Sequence, residues 1–121
     1  MWAIKFTLWL SAFFNLGAAL LLLFPGSYLG QSMGLPDTVH PLYAGMTAYM
    51  IALFGGAYAW LGMQAEPVRS MVYFGAIGKL GVFVLAVGLW MSSTISALLL
   101  GLASGDLIFS LFWFWWLRSA K

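Results

Sequence analysis

Three residues of this chain have the chemistry to act in an apolar setting. Asn15 lies in FFNLG, Lys79 in GKLG and Asp106 in SGDLIF, each the most polar residue of a long hydrophobic run. An amine beside a carboxylate can move a proton, hold an ion or grip the polar end of a ligand, and an amide can donate and accept beside them. The same three groups can instead be a clasp, an ion pair with an amide that fixes which helices pair and in what register. A lysine at the centre of a membrane segment costs about 2.5–3.5 kcal/mol to insert, so a partner is required, and Asp106 is the natural one. On residue types alone, both readings stand.

Elsewhere the chemistry is sparse. There is no cysteine, hence no disulfide, thiolate metal site or iron–sulfur cluster. One histidine and three carboxylates do not make a metal cage. No Ser/His/Asp arrangement, phosphate loop, CxxC or HExxH occurs, and no cofactor is expected. A pI of 9.2 rests on five basic residues against three acidic ones without a basic stripe, which argues against nucleic acid as a partner. His40 reads as a solvated or capping loop residue, Asp37 or Thr38 as a helix cap, and Glu66 with Arg69 as a solvated loop pair. Tyr49 and Tyr58 are expected to turn their polar tips into the bundle as part of its packing, and the scattered methionines to fill gaps.

The elements that must position the trio follow from composition. The chain has 121 residues, of which 64% are hydrophobic and 7% charged. Its mean hydropathy is +0.98, too apolar for water to be the solvent. Four continuous apolar runs, about 6–24, 42–63, 71–91 and 95–117, each approach the ~20 residues that cross a bilayer core. The runs do not alternate, so they are helices rather than barrel strands. The expected fold is all-α, a polytopic membrane protein whose one domain, 1–121, is a four-transmembrane-helix bundle. The first run, though it follows Lys5, is too long for a signal peptide and has no cleavage signature, so it reads as a retained helix.

The links differ in length. The first, PGSYLGQSMGLPDTVHP, is long, and Pro41 suits the first turn of the second span. Pro67 suits the first turn of the third, and Ser92-Ser93-Thr94 makes a tight hairpin whose hydroxyls are expected to cap the fourth span. Lys5, Arg69, Arg118 and Lys121 fall on one side, while the opposite loops carry no Lys or Arg. The positive-inside rule then puts both termini in the cytoplasm. Trp2, Trp60, Trp113, Trp115 and Trp116 are expected as an aromatic belt or lipid contacts on that side, with Trp90 on the other.

Helix rise places the trio at one level. Lys79 is ten residues from Arg69 and Asn15 ten from Lys5, each about 15 Å deep, and Asp106 is twelve from Arg118, about 18 Å. Gly55 and Gly56 lie at that level in the second span, Gly75, Gly78 and Gly81 flank Lys79, and Gly101 and Gly105 precede Asp106. All seven are expected to let helices approach closely. Asn15-Leu16-Gly17 also echoes Lys79-Leu80-Gly81.

FFNLGAALLLLFP, GKLG and GDLIFSLFWFWWLR carry a resemblance. The chain resembles the small bacterial four-helix membrane proteins grouped with the DoxX-like and related unknown-function families. It matches at Asn15, Pro25, Gly78-Lys79, Gly105-Asp106 and Phe109, and departs in the loop after the second helix, where Glu66-Pro67-Val68-Arg69 keeps only part of the usual motif. The resemblance implies a bacterial cytoplasmic (inner) membrane location and a connection with quinol oxidation and redox complexes. It carries over no catalytic residue. The leading expectation is a non-enzymatic accessory or assembly subunit, or a homo-oligomer, whose partners are the lipid bilayer and other membrane helices. The alternative is a module that binds a lipophilic, quinone-like molecule or passes protons or ions through the Asn15–Lys79–Asp106 cluster. A lipid-modifying enzyme with Asp106 as acid–base is a third.

Overall fold

A computed structural model describes residues 2–36 and 38–119. Asp37, read above as a cap, and Lys121, counted among the basic flanks, lie outside the described residues. Four long helices carry the fold: α1 (Trp2–Leu23), α3 (Pro41–Met63), α4 (Arg69–Met91) and α5 (Ala97–Ser119). A five-residue helix, α2 (Tyr28–Ser32), lies in the first link. All four long helices are long and apolar enough to cross a membrane. Their outward faces carry Phe6, Phe13, Leu53, Ile77, Leu85 and Ile108, all exposed. Such a surface suits lipid and not water, and the molecule is an all-α transmembrane bundle.

The helix ends show how local sequence sets the boundaries. His40, not Thr38, caps α3: its Nδ1 accepts from the Leu42 amide, with Pro41 in the first turn. Pro67 lies just ahead of the Val68 N-cap of α4, not inside its first turn. Ser92-Ser93-Thr94 closes α4 instead of opening α5. Ser93 adopts φ 62°, its amide bonds the Trp90 carbonyl, and the Thr94 amide bonds Leu89. This left-handed C-terminal turn satisfies carbonyls that the helix leaves open. Ser96 then caps α5, accepting from the Leu99 amide while donating to the Met33 carbonyl at 2.6 Å. One hydroxyl thus ties the first link to the last helix.

The helices pair as α1 with α3 and α4 with α5, each pair closely packed, while backbones of different pairs approach at few points. Glycine makes the first pairing close. A Cβ on Gly55 would stand 3.0 Å from the Asn15 Cβ and 3.2 Å from the Ala12 carbonyl oxygen, and one on Gly62 2.9 Å from the Trp9 ring. Between the pairs, bulk replaces backbone contact. Ile4, Leu8, Tyr58, Leu61, Val72, Ala76, Phe109, Trp113 and Trp116 form one core cluster. Its members all lie between Lys79 and the end of the bundle where the described chain begins and ends.

Several side chains stand elsewhere than expected. Trp113 and Trp116 are core residues, not belt residues, because α5 turns them toward Tyr58 and Arg69, whereas Trp2, Trp60, Trp90 and Trp115 are exposed. Tyr58 is buried as expected, but Tyr49 faces outward. Met46, Met50, Met63 and Met91 are exposed and fill no internal gap.

Candidate functional site

Lys79 is placed by the inward stripe of α4, which also buries Val72, Gly75, Ala76 and Ala86. Its Nζ donates to Asp106 Oδ1 at 2.7 Å and to Asn15 Oδ1 at 3.0 Å. Asn15 Nδ2 in turn donates to the Ile51 carbonyl oxygen at 3.0 Å. In a regular helix that carbonyl also receives the amide of Gly55, and the missing Cβ of Gly55 is what lets Asn15 reach it. One ammonium therefore joins α4 to α5 and α1 directly, and to α3 through an amide.

Aromatic faces close the rest of the shell. Lys79 Nζ lies 5.1 Å from the ring centre of Tyr58, 5.2 Å from Phe109, 5.3 Å from Phe14 and 5.9 Å from Trp113. Desolvated cation–π contacts are worth up to about 2 kcal/mol each, so the rings replace part of the hydration that the membrane denies. The Lys79 side chain is 4% exposed and that of Asp106 13%. Glycine again sets the fit. A Cβ on Gly75 would stand 2.8 Å from the Tyr58 ring, and one on Gly105 3.0 Å from Phe14. By contrast Gly56, Gly78, Gly81 and Gly101, expected at the same packing surfaces, have open space where a Cβ would stand. They lie on the exposed faces of their helices.

The ring shell and a second row of polar groups escaped the sequence reading. Thr7, Ser11 and Asn15 recur every four residues on α1, and Asp106, Ser110 and Trp113 share one stripe of α5. Trp113 Nε1 donates to Thr7 Oγ1 at 3.0 Å, and Thr7 to the Ile4 carbonyl. Ser110 is satisfied within α5 by the Leu107 carbonyl. Ser11 Oγ is fully enclosed and has no partner among the described residues. The four-residue spacing of Thr7, Ser11 and Asn15 was the available signal.

Asp106 uses one oxygen. Among the described residues no hydrogen bond reaches its Oδ2, and that side chain is the most exposed of the trio. Two surface grooves lie elsewhere. One, of about 130 Å3, sits among Leu22, Pro25, Leu35 and Tyr43, and the other follows Leu111, Trp115 and Arg118 along α5. Among the described residues no group of three His, Cys, Asp or Glu side chains could hold a metal. Compared with protein-family models, with curated proteins and with solved structures, the chain finds no match.

Proposed function

We propose that this protein is a non-enzymatic membrane protein, an accessory or assembly subunit or a homo-oligomer, in which Asn15, Lys79 and Asp106 form the clasp that fixes the bundle. The observation that carries this reading is the engagement of Lys79, on α4, with groups from the other three long helices at once. The DoxX-like resemblance adds a bacterial inner membrane as the setting, and the charge asymmetry adds cytoplasmic termini.

The test is a charge-removal series in native-like lipid: Lys79→Met, Asp106→Leu and the double variant, scored for folded yield and thermal stability. Breaking a buried pair by removing one partner costs about 3–5 kcal/mol, so each single change is expected to lower stability severely, with the double variant recovering most of the loss. A stable set of single variants that loses a co-purifying molecule would sink the clasp and establish a ligand site.

The second reading, a binding or proton-path module for a lipophilic molecule, is favoured by one feature only. Asp106 Oδ2 is not consumed by the clasp.

A further inference from the structure

Burial is divided unevenly along the bundle. From Lys79 toward the chain ends, every long helix buries a stripe: Ile4, Leu8 and Ser11 in α1, Tyr58 and Leu61 in α3, Val72 and Ala76 in α4, Phe109 and Trp113 in α5. Toward the opposite end the buried residues are few. They are Ala19 and Leu21 in α1, Ala48 in α3 and Ala86 in α4, with none in α5. The inward stripe of α5 continues from Asp106 through Ala103 and Leu102 to Leu99, and these three are partly exposed, as are Ala18 and Phe83. Over their whole length α1 packs closely on α3 and α4 on α5, and in this half few side chains along the seam between the pairs are buried.

Asp106 stands at the floor of that seam. One turn toward the chain ends, Phe109 and Ser110 are buried, and one turn the other way, Leu102 and Ala103 are not. The carboxylate, 13% exposed, thus stands where the buried stripe of α5 ends. Its depth is about 13 Å from the α5 start at Ala97, where water is scarce and an acceptor oxygen without a donor is costly. The charge of the carboxylate is already balanced by Lys79 at 2.7 Å, so a cation gains little there. Lys79 points two of its N–H groups at Asp106 and Asn15 and lies among the rings, so the group left without a counterpart is the acceptor Oδ2, which a head bearing its own donor matches.

We propose that the seam between the two helix pairs is a lateral binding cleft for one neutral, hydroxyl-headed amphiphile dissolved in the membrane. Its hydroxyl donates to Asp106 Oδ2 and its chain lies along Leu102, Ala103 and Leu99. The inference goes beyond the clasp and survives or fails separately. The clasp is read by the stability of the charge-removal series, the cleft by binding.

The probe is a C16 alcohol with a diazirine near its head, compared with its methyl ether, photolysed with the purified full chain in lipid nanodiscs and mapped by mass spectrometry. The alcohol is expected to label Leu99–Ala103 and Phe83 about fivefold or more over the ether, the worth of one net hydrogen bond. Ala103→Phe fills the seam without touching the trio and is expected to abolish that labelling. Asp106→Asn presents an amide donor in place of the acceptor and is expected to bring the ether up to the alcohol. Equal labelling of the wild-type protein by both probes, or labelling confined to outward residues such as Leu98, Ile108 and Leu111, overturns the proposal. If Asp106→Asn does not fold, the wild-type comparison and Ala103→Phe decide it.

Discussion

At the residue scale, the trio is not symmetric in its duties. Lys79 is the hub, with two charge-assisted or neutral acceptors and four ring faces around it. Asp106 balances its charge. Asn15 relays it to the backbone of α3. Losing the hub strands a carboxylate in hydrocarbon, whereas losing the relay leaves the ion pair intact and the Ile51 carbonyl still within its own helix. Asn15→Leu is therefore expected to cost about 1–3 kcal/mol, the range for an unmade buried hydrogen bond, and less than Lys79→Met. Thermal unfolding of the two variants in the same lipid gives the ranking. Equal losses would mean that Asn15 carries the clasp as much as the ion pair does.

At the element scale, glycine behaves in two ways that the sequence does not separate. Gly55 and Gly75 touch a neighbouring helix or ring, while Gly78 and Gly81 face open space on the exterior of α4. Gly55→Ala and Gly75→Ala are expected to destabilise, because each new methyl meets a contact at 3.0 Å or less. Gly78→Ala and Gly81→Ala are expected to be neutral or to gain up to about 1 kcal/mol from better helix propensity. Thermal midpoints of the four variants check this. A large loss at Gly78 or Gly81 would reveal that a second copy or a partner helix packs there. The contrast shows how far the sequence could be read. Span positions and the common level of the trio are legible, because continuous hydropathy and a fixed rise per residue determine both. The meeting of Asn15, Lys79 and Asp106 followed from their common level. The facing of each helix was not legible, because helices apolar on every side carry almost no amphipathic signal. That is why, from sequence, Trp113 reads as belt and Gly78 as packing, and the ring shell around Lys79 does not show. Capping was legible only in part for a related reason. His40 serves in the capping role open to it, while Thr38, Ser92 and Thr94 also have capping side chains, and which one serves depends on where the turn closes, as it does at His40 and Ser96.

At the scale of the whole molecule, the charge distribution and the packing distribution run along the same axis. Lys5, Arg69 and Arg118 lie at the densely packed end, where Arg69 donates to the Leu117 carbonyl and stacks on Trp116. The opposite end, with the first link and the α4–α5 turn, has no Lys or Arg in its sequence and buries few side chains between the helix pairs. Basic residues are retained on the cytoplasmic side during insertion, so the dense half is proposed to face the cytoplasm and the cleft to lie in the outer half of the bilayer. The absence of cysteine makes this directly measurable, since any introduced thiol is the sole reactive one. Thr38 and Glu66 are exposed at opposite ends of the bundle. In intact cells a membrane-impermeant maleimide is expected to label Thr38→Cys, and to label Glu66→Cys only after permeabilisation. The reverse pattern would invert the orientation and place the seam in the cytoplasmic half, where a hydroxyl-headed molecule would enter from the inner leaflet.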